Sequence, residues 1–399
     1  MTTLQQLADE AEKHFDYMVE TRRYLHRNPE VSFKEFDTTA FIIGELEKLG
    51  LEIHRPLETG CVAIISGAPS DRVIALRADI DALAMEEEGD HKREFLSERA
   101  GAAHCCGHDA HTTNLLTAAK MLSKRRDEIQ GKVLLIFQPG EEKSPGGGRL
   151  LTESGFLQKQ GVQAVFGLHT TPDFSPGTIA IKPGPLMART DEVEVEIRGK
   201  GGHAAAPHTA IDPIVMASEA VMAIQTIISR SLNPTEPAVI TFGKFHGGNT
   251  HNVIPEKVDL LGTIRTFSDE TADFLMKRIH EVLDGITKAH GGSYTCRFNP
   301  GYPAVINSEK ETETVIRVAS EIIGKENIVE MKRPWMAGED FAFYLKEFPG
   351  AFFFLGSGSD ESDSKWSWHH PKYNVDERSM VTGAALLSAI ALKGILYDK

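Results

Sequence analysis

The chain is short of cysteine, of positive charge and of long apolar runs, and each shortage removes a class of protein. Four cysteines (Cys61, Cys105, Cys106 and Cys296) in 399 residues are too sparse for a disulfide framework, and adjacent Cys105 and Cys106 are poorly placed to pair. A reducing cytoplasm suits such thiols best, and a metal thiolate is the special use open to one of them. Lysine and arginine total 43 against 57 aspartates and glutamates, a formal net charge of -14. A nucleic-acid partner needs a basic face, so none is expected. No window approaches the ~18–20 apolar residues of a membrane span, so no membrane is expected either. The opening MTTLQQLADEAEKHFDY is acidic and amphipathic, which argues against a secretory signal. Internal repeats and low-complexity tracts are also lacking; residues 356–364 read only as a polar loop.

What remains is an ordinary globular composition, 41% hydrophobic and 25% charged, in a chain long enough for two or three domains at ~150 residues each. Helical periodicity covers residues 4–26 and stops before Asn28-Pro29. Ser32-Phe33-Lys34-Glu35 reads as a capping box opening a second helix that ends at Gly50. Continuous apolar runs follow at 61–66, 73–78, 133–137, 164–167 and 352–355, with a long helix at 112–126. Apolar strands interleaved with helices predict an α/β domain built on a mainly parallel sheet, covered by helices on both faces. Ligands gather at the carboxyl ends of such strands. There the sequence places Asp79 and Asp81, then Glu141 and Glu142, then His169.

A different pattern starts near Met187. TDEVEVEIR at 190–198 alternates as a half-buried strand. A helix at 212–230, strands at 238–245 and 258–267, a helix at 270–290 and a strand at 293–298 complete a β-α-β-β-α-β order. That is the ferredoxin-like split unit. We therefore expect residues 187–302 to form an inserted domain, with the α/β domain made of 1–186 and 303–399.

The densest chemistry is His104-Cys105-Cys106-Gly107-His108-Asp109-Ala110-His111. Two ligands do not make a site, but Gln138-Pro139-Gly140-Glu141-Glu142, Gly167-Leu168-His169 and Trp368-His369-His370-Pro371 supply more. Cys106, His108, Glu142, His169 and His369 form a set able to hold two divalent ions. Sulfur and imidazole favour zinc, while carboxylates also admit manganese, cobalt or nickel. Glu141, beside a ligand and not needed as one, suits the base that takes a proton from metal-activated water. Asp81 suits an acceptor that orients an imidazole N–H, with Asp79 either that or a ligand. His111 suits helix capping or packing as well as any catalytic role, and His26 reads as ordinary. In the inserted domain His203 lies on a glycine-rich turn, with Asn252 and Arg265 following. An imidazole, an amide and a guanidinium suit an oxyanion and a substrate carboxylate. The plainer uses of these residues are a solvated loop for Glu141-Glu142 and a sheet-edge charge for Arg265.

At these residues the chain resembles the co-catalytic metal aminoacylase and carboxypeptidase superfamily, in its auxin-conjugate hydrolase and bacterial N-acyl-amino-acid amidohydrolase branch. The motifs LRADIDAL, CGHDAHT, QPGEE, GLH, GKGGHAAAPH, NVIPE, GEDFAFY and HHPKY carry the resemblance in family order along nearly the whole chain. It implies metal ligation by Cys106, His108, Glu142, His169 and His369, with Glu141 as general base. It further implies a catalytic contribution from His203, often made across a dimer interface, and substrate-carboxylate contacts from Asn252 and Arg265. The inserted domain is implied to serve as lid and dimerisation domain, giving a homodimer or higher homo-oligomer. The chain departs from the pattern in places: Asp79-Ile80-Asp81 stands where the wider superfamily has His-x-Asp, Ala84 replaces a usual proline, Cys105 and Gly140 replace a usual alanine, and Cys105 is a potential competitor for metal. The function expected is metal-dependent cleavage of N-acyl-amino acids. A dipeptidase or carboxypeptidase of the same superfamily, a non-catalytic scaffold and a Cys106 thiolate nucleophile are the alternatives.

Overall fold

The computed structural model describes residues 3–393. The chain divides into two compact units. The larger runs up to Leu186 and comprises Val305–Pro334 and the chain from Asp340 as well; the smaller comprises Met187–Ala304 and Trp335–Glu339.

The larger unit is built on one eight-stranded sheet. Its centre is four parallel strands in the order Gln130–Gln138, Ala68–Asp79, Ala164–Thr171 and Gly350–Gly356. Cys61–Ser66 and Glu52–His54 extend one edge antiparallel. Ile179–Ile181 joins the other edge antiparallel, and Ile328–Glu330 pairs parallel with it. GAFFFLG is buried at every position, and Gln130–Gln138 is buried from Val133 onward. Consecutive buried residues point to opposite faces, so both faces are covered. The helices His108–Ser123 and Ser379–Lys393 are buried along almost their whole length and pack on each other.

The N-terminal segment differs from its sequence reading. It forms two helices, Leu4–Lys13 and Phe15–Arg27, broken at His14. The expected capping box does not form either. Phe33 adopts a left-handed φ of 64°, and the next helix begins only at Phe36 and ends at Glu47. The Ser32 hydroxyl instead donates to Asp81 Oδ2 at 2.7 Å. Glu35 is buried and accepts from the Phe33 and Gly140 backbone N–H groups and the Thr59 hydroxyl, each at 2.8 Å. Local motif chemistry lost here to tertiary contacts. Burial first, then the nearby Asp81 charge, push Glu35 up to about 7.

The smaller unit is a four-stranded antiparallel sheet in the order Val239–His246, Lys257–Thr266, Arg189–Arg198, Ser293–Pro300. Two helices, Pro213–Thr226 and Asp269–His290, pack on it. The inward residues Val193, Val195 and Ile197 alternate with exposed or half-exposed glutamates, and the inner set joins one core with Met216, Ile279 and Leu283. Among the described residues, no helix is long and apolar enough to cross a membrane.

Candidate metal centre

The site grows out of the carboxyl ends of the four central strands. Asp79 is the last residue of its strand, Glu141 and Glu142 follow Gln138, His169 lies near the end of its own strand, and His369 sits on the segment after Gly356. Gly107 caps the helix that begins with His108 and has a φ of 93°. A Cβ there would lie 2.2 Å from Thr170 Oγ1 and 2.9 Å from the Tyr373 hydroxyl. Only glycine fits, because both the backbone conformation and the close approach exclude a side chain. Gly140 is constrained in the same way: its φ is 65°, and a Cβ would meet the Phe33 ring at 2.3 Å. Its departure from alanine is thus matched by Phe33.

The larger unit brings together all five predicted ligands and the predicted base. Three overlapping groups have donor atoms within 4.8 Å of one another: Cys106/His108/His169, Cys106/Glu142/His369 and His108/Glu141/Glu142. Cys106 Sγ lies 3.4 Å from His169 Nε2, and His369 Nε2 lies 3.3 Å from Glu142 Oε1. The imidazoles are oriented from behind. His169 Nδ1–H donates to the Thr170 carbonyl at 2.7 Å, which leaves the Nε2 lone pair facing Cys106. His108 Nδ1–H donates to the Asp81 main-chain carbonyl at 2.9 Å and also lies 3.3 Å from the Asp81 carboxylate Oδ1, which directs Nε2 the other way. His108 Nε2 and Glu142 Oε1 are buried and make no hydrogen bond. Buried polar atoms are almost always satisfied, so two orphans facing a thiol and a second imidazole suit a divalent cation.

Electrostatics agree. Burial raises the Cys106 thiol well above its usual range, and Glu142 and Glu141 raise it further. Burial opposes charge on His108, but Asp79, the Asp81 hydrogen bond and Glu142 overcome it and push His108 up to about 10. Burial, with help from His111, holds His169 well below its usual value. A thiol and an imidazole that hold their protons beside clustered acids are groups a divalent cation would deprotonate.

Asp81 does more than orient one ring. Its Oδ2 also accepts the Glu142 backbone N–H at 3.0 Å, so one carboxylate braces the segments of two candidate ligands. Asp79 accepts from His111 Nδ1–H at 2.6 Å and from Arg77 at 2.7 Å. Burial favours its neutral form, but Arg77, His108 and His111 more than offset that and hold it well below the usual carboxylate range.

Several partners escaped the sequence reading. Arg77 is fully buried and donates to Asp79, Gln138 and Asp340 at 2.7, 2.9 and 2.8 Å. LRADIDAL and GEDFAFY hinted at both ends of this network, but nothing in either motif pairs them across the chain. His26 is not ordinary: it is fully buried, with Nδ1 2.8 Å from Asp109 Oδ2 and Nε2 3.0 Å from Glu87 Oε2. His111 neither caps nor merely packs, since its Nε2 also accepts the Thr170 N–H at 2.8 Å. Cys105 packs into the hydrophobic core, where burial pushes its thiol up to about 12. It is in none of the potential ligand groups found among the described residues. His370 turns away from His369 and stacks on Trp366, with ring centroids 4.5 Å apart.

The remaining predicted residues belong to the smaller unit. His203 is exposed on a two-residue strand, Gly202–His203, paired with Val253–Ile254. Its Nδ1 accepts the Ala205 N–H at 3.0 Å, which places the ring proton on Nε2. His203 and exposed Asn252 line one cavity of about 490 Å³ with Gly201, Pro255 and Glu256. Arg265 is not in that cavity. It lies eight residues beyond Lys257 on its strand, about 26 Å along it at ~3.3 Å per residue. Its guanidinium donates to the Ile264 carbonyl at 3.0 Å and to the Thr263 hydroxyl.

Comparison with known proteins places this geometry. The chain is 42% identical over 372 residues to the N-acetyl-L-cysteine deacetylase of Bacillus subtilis, covering 93% of this chain and 86% of that protein. It is 39% identical over 392 residues to the IAA-amino acid hydrolase ILR1-like 4 of Arabidopsis thaliana, covering 96% and 87%. Among solved structures, a Bacillus subtilis protein described as a dinuclear metal binding peptidase from the M20 family superposes with a TM-score of 0.83. It is 34% identical, covering 96% of this chain and 98% of that one. The profile of peptidase family M20/M25/M40 matches residues 75–393. The chain belongs to peptidase family M20/M25/M40 and is a hydrolytic enzyme acting on amide bonds.

Proposed function

We propose that the chain is a metal-dependent amidohydrolase that cleaves the amide of N-acyl-L-amino acids, releasing a carboxylate and a free amino acid. The observation that carries this reading is the convergence of Cys106, His108, Glu142, His169 and His369, with Glu141 grouped beside His108 and Glu142. In this reading those five residues hold two divalent ions, drawn from zinc, manganese, cobalt and nickel. Bound there, the ions would acidify a water molecule and polarise the amide carbonyl.

The chain's own groups do the rest. Glu141, only 6% exposed, takes a proton from the attacking water and delivers it to the leaving nitrogen. Asp81 holds His108 and the Glu142 backbone in register, so both donors stay aimed. His203 carries its proton on Nε2 and donates to the tetrahedral oxyanion. Asn252 and Arg265 take the substrate carboxylate. Because Arg265 stands apart from the His203–Asn252 cavity, the reading includes a homodimer or higher homo-oligomer in which copies share these contacts through the inserted domain, residues 187–302. Exposed Met222 and Val215 on one helix, and Phe245 on the edge strand Val239–His246, support such an interface. The free thiols of all four cysteines suit a cytoplasmic setting.

The test is Glu141→Gln. Turnover of the best N-acyl-amino acid should fall by about 10²–10⁴-fold, with metal content unchanged. Near wild-type turnover with metal bound would remove Glu141 from the mechanism.

A further inference from the structure

Of the five candidate ligands, His369 is the least protected. Its side chain is 55% exposed, and residues 357–378 carry neither helix nor strand. Its backbone is also in the left-handed region, with φ 64°, which a non-glycine residue adopts only when its surroundings enforce it. Something must hold this donor in place.

One hold is the His369 N–H, which donates to the Cys105 carbonyl at 2.8 Å. The other is the preceding residue. Trp368 turns inward: its indole N–H donates to the Thr170 carbonyl at 2.9 Å, the same carbonyl that receives His169 Nδ1–H. The ring packs edge-on against His169, with centroids 4.7 Å apart at 64°, and lies beside Phe354 at 6.1 Å. Trp366, two residues earlier, stacks on His370, has Lys372 Nζ over its ring at 5.1 Å and donates to Asp363 at 3.2 Å. The two half-buried indoles on this segment therefore differ in their partners: Trp368 reaches the strands of His169 and Phe354, while Trp366 meets only its own segment.

We propose that Trp368 is a positioning residue that pins the segment bearing His369 to the strand bearing His169, and so sets the geometry of the Cys106/Glu142/His369 donor group. His169 keeps its own hydrogen bond to Thr170 without Trp368, so the Cys106/His108/His169 group does not depend on the indole in the same way. The proposal rests on the two-ion reading above.

Metal-free wild type, His369→Ala, Trp368→Phe and Trp366→Phe are titrated calorimetrically with Zn²⁺ and with Mn²⁺. Trp368→Phe keeps an aromatic ring and removes the N–H. Wild type should take up two ions, and His369→Ala should lose one class. Trp368→Phe should weaken that same class by about 10–100-fold and leave the other within about threefold, while Trp366→Phe matches wild type. Equal weakening of both classes would mean a merely structural role, and no weakening would mean no role; either overturns the proposal. Fewer than two ions on wild type, or both retained by His369→Ala, would instead sink the two-ion reading and the proposal with it. Should Trp368→Phe not fold, Trp368→Leu, which also lacks a hydrogen-bond donor, is read by the same criteria.

Discussion

In the larger unit Cys106, His108, His169 and Glu141 are buried, and hydrogen bonds from behind direct the two imidazoles. In the smaller unit His203 and Asn252 are exposed on a short hairpin-like pairing, and Arg265 lies far along a neighbouring strand. The first arrangement is preorganised. Burial prevents its groups from relaxing into water, and Asp81 and Thr170 leave each ring one direction to face. The second offers groups held only by near neighbours in sequence: His203 by the Ala205 N–H, Asn252 by the Thr250 hydroxyl, and Arg265 by Thr263 and Ile264. The proposed function puts the ions in the first unit and the substrate contacts in the second.

This comparison can be broken by substitution. The largest effect belongs to Cys106→Ser, which weakens a donor common to two ligand groups. Turnover should fall by about 10³-fold or more, and metal content measured after gel filtration should fall with it. His203→Ala should cost about 10²–10³-fold in kcat with metal content unchanged. Loss of metal from this variant would abolish the distinction between the units. Asp81→Asn should weaken metal affinity by about 10–100-fold, as read by chelator competition, because an acceptor common to His108 and Glu142 is altered.

The smallest effect per step is that of pH. In the metal-free protein the Cys106 thiol is raised and His108 is pushed up to about 10, so both carry protons at neutral pH. A cation must displace those protons, so affinity rises with pH until they are lost unaided and falls as acid competes. Apparent affinity should drop by about tenfold or more for each pH unit below 8. A flat profile would show that neither group is a ligand.

The comparison also explains what was legible in the sequence. Strand ends carrying Asp81, Glu141, Glu142 and His169 could be read because apolar runs mark where strands stop and the parallel topology puts those ends on one side. The smaller unit's strand order was legible from clean alternation such as TDEVEVEIR. Arg77 and His26 were not. Their partners, Asp340 and Asp109, lie far away in sequence, and a buried ion pair leaves no local periodicity. The Ser32–Glu35 motif misled for a related reason: both side chains bond across the fold, to Asp81 and to Gly140, rather than to the helix start. Local pattern predicts elements well, and misses polar groups whose partners come from another strand.

The most direct measurement is release of free amine from N-acetyl and N-benzoyl amino acids and from dipeptides, by metal-stripped protein reconstituted separately with Zn²⁺, Mn²⁺, Co²⁺ and Ni²⁺. The account predicts that stripped protein is inactive and that at least one metal restores turnover of an N-acyl-amino acid. Turnover undiminished by stripping, or of dipeptides alone, would contradict it.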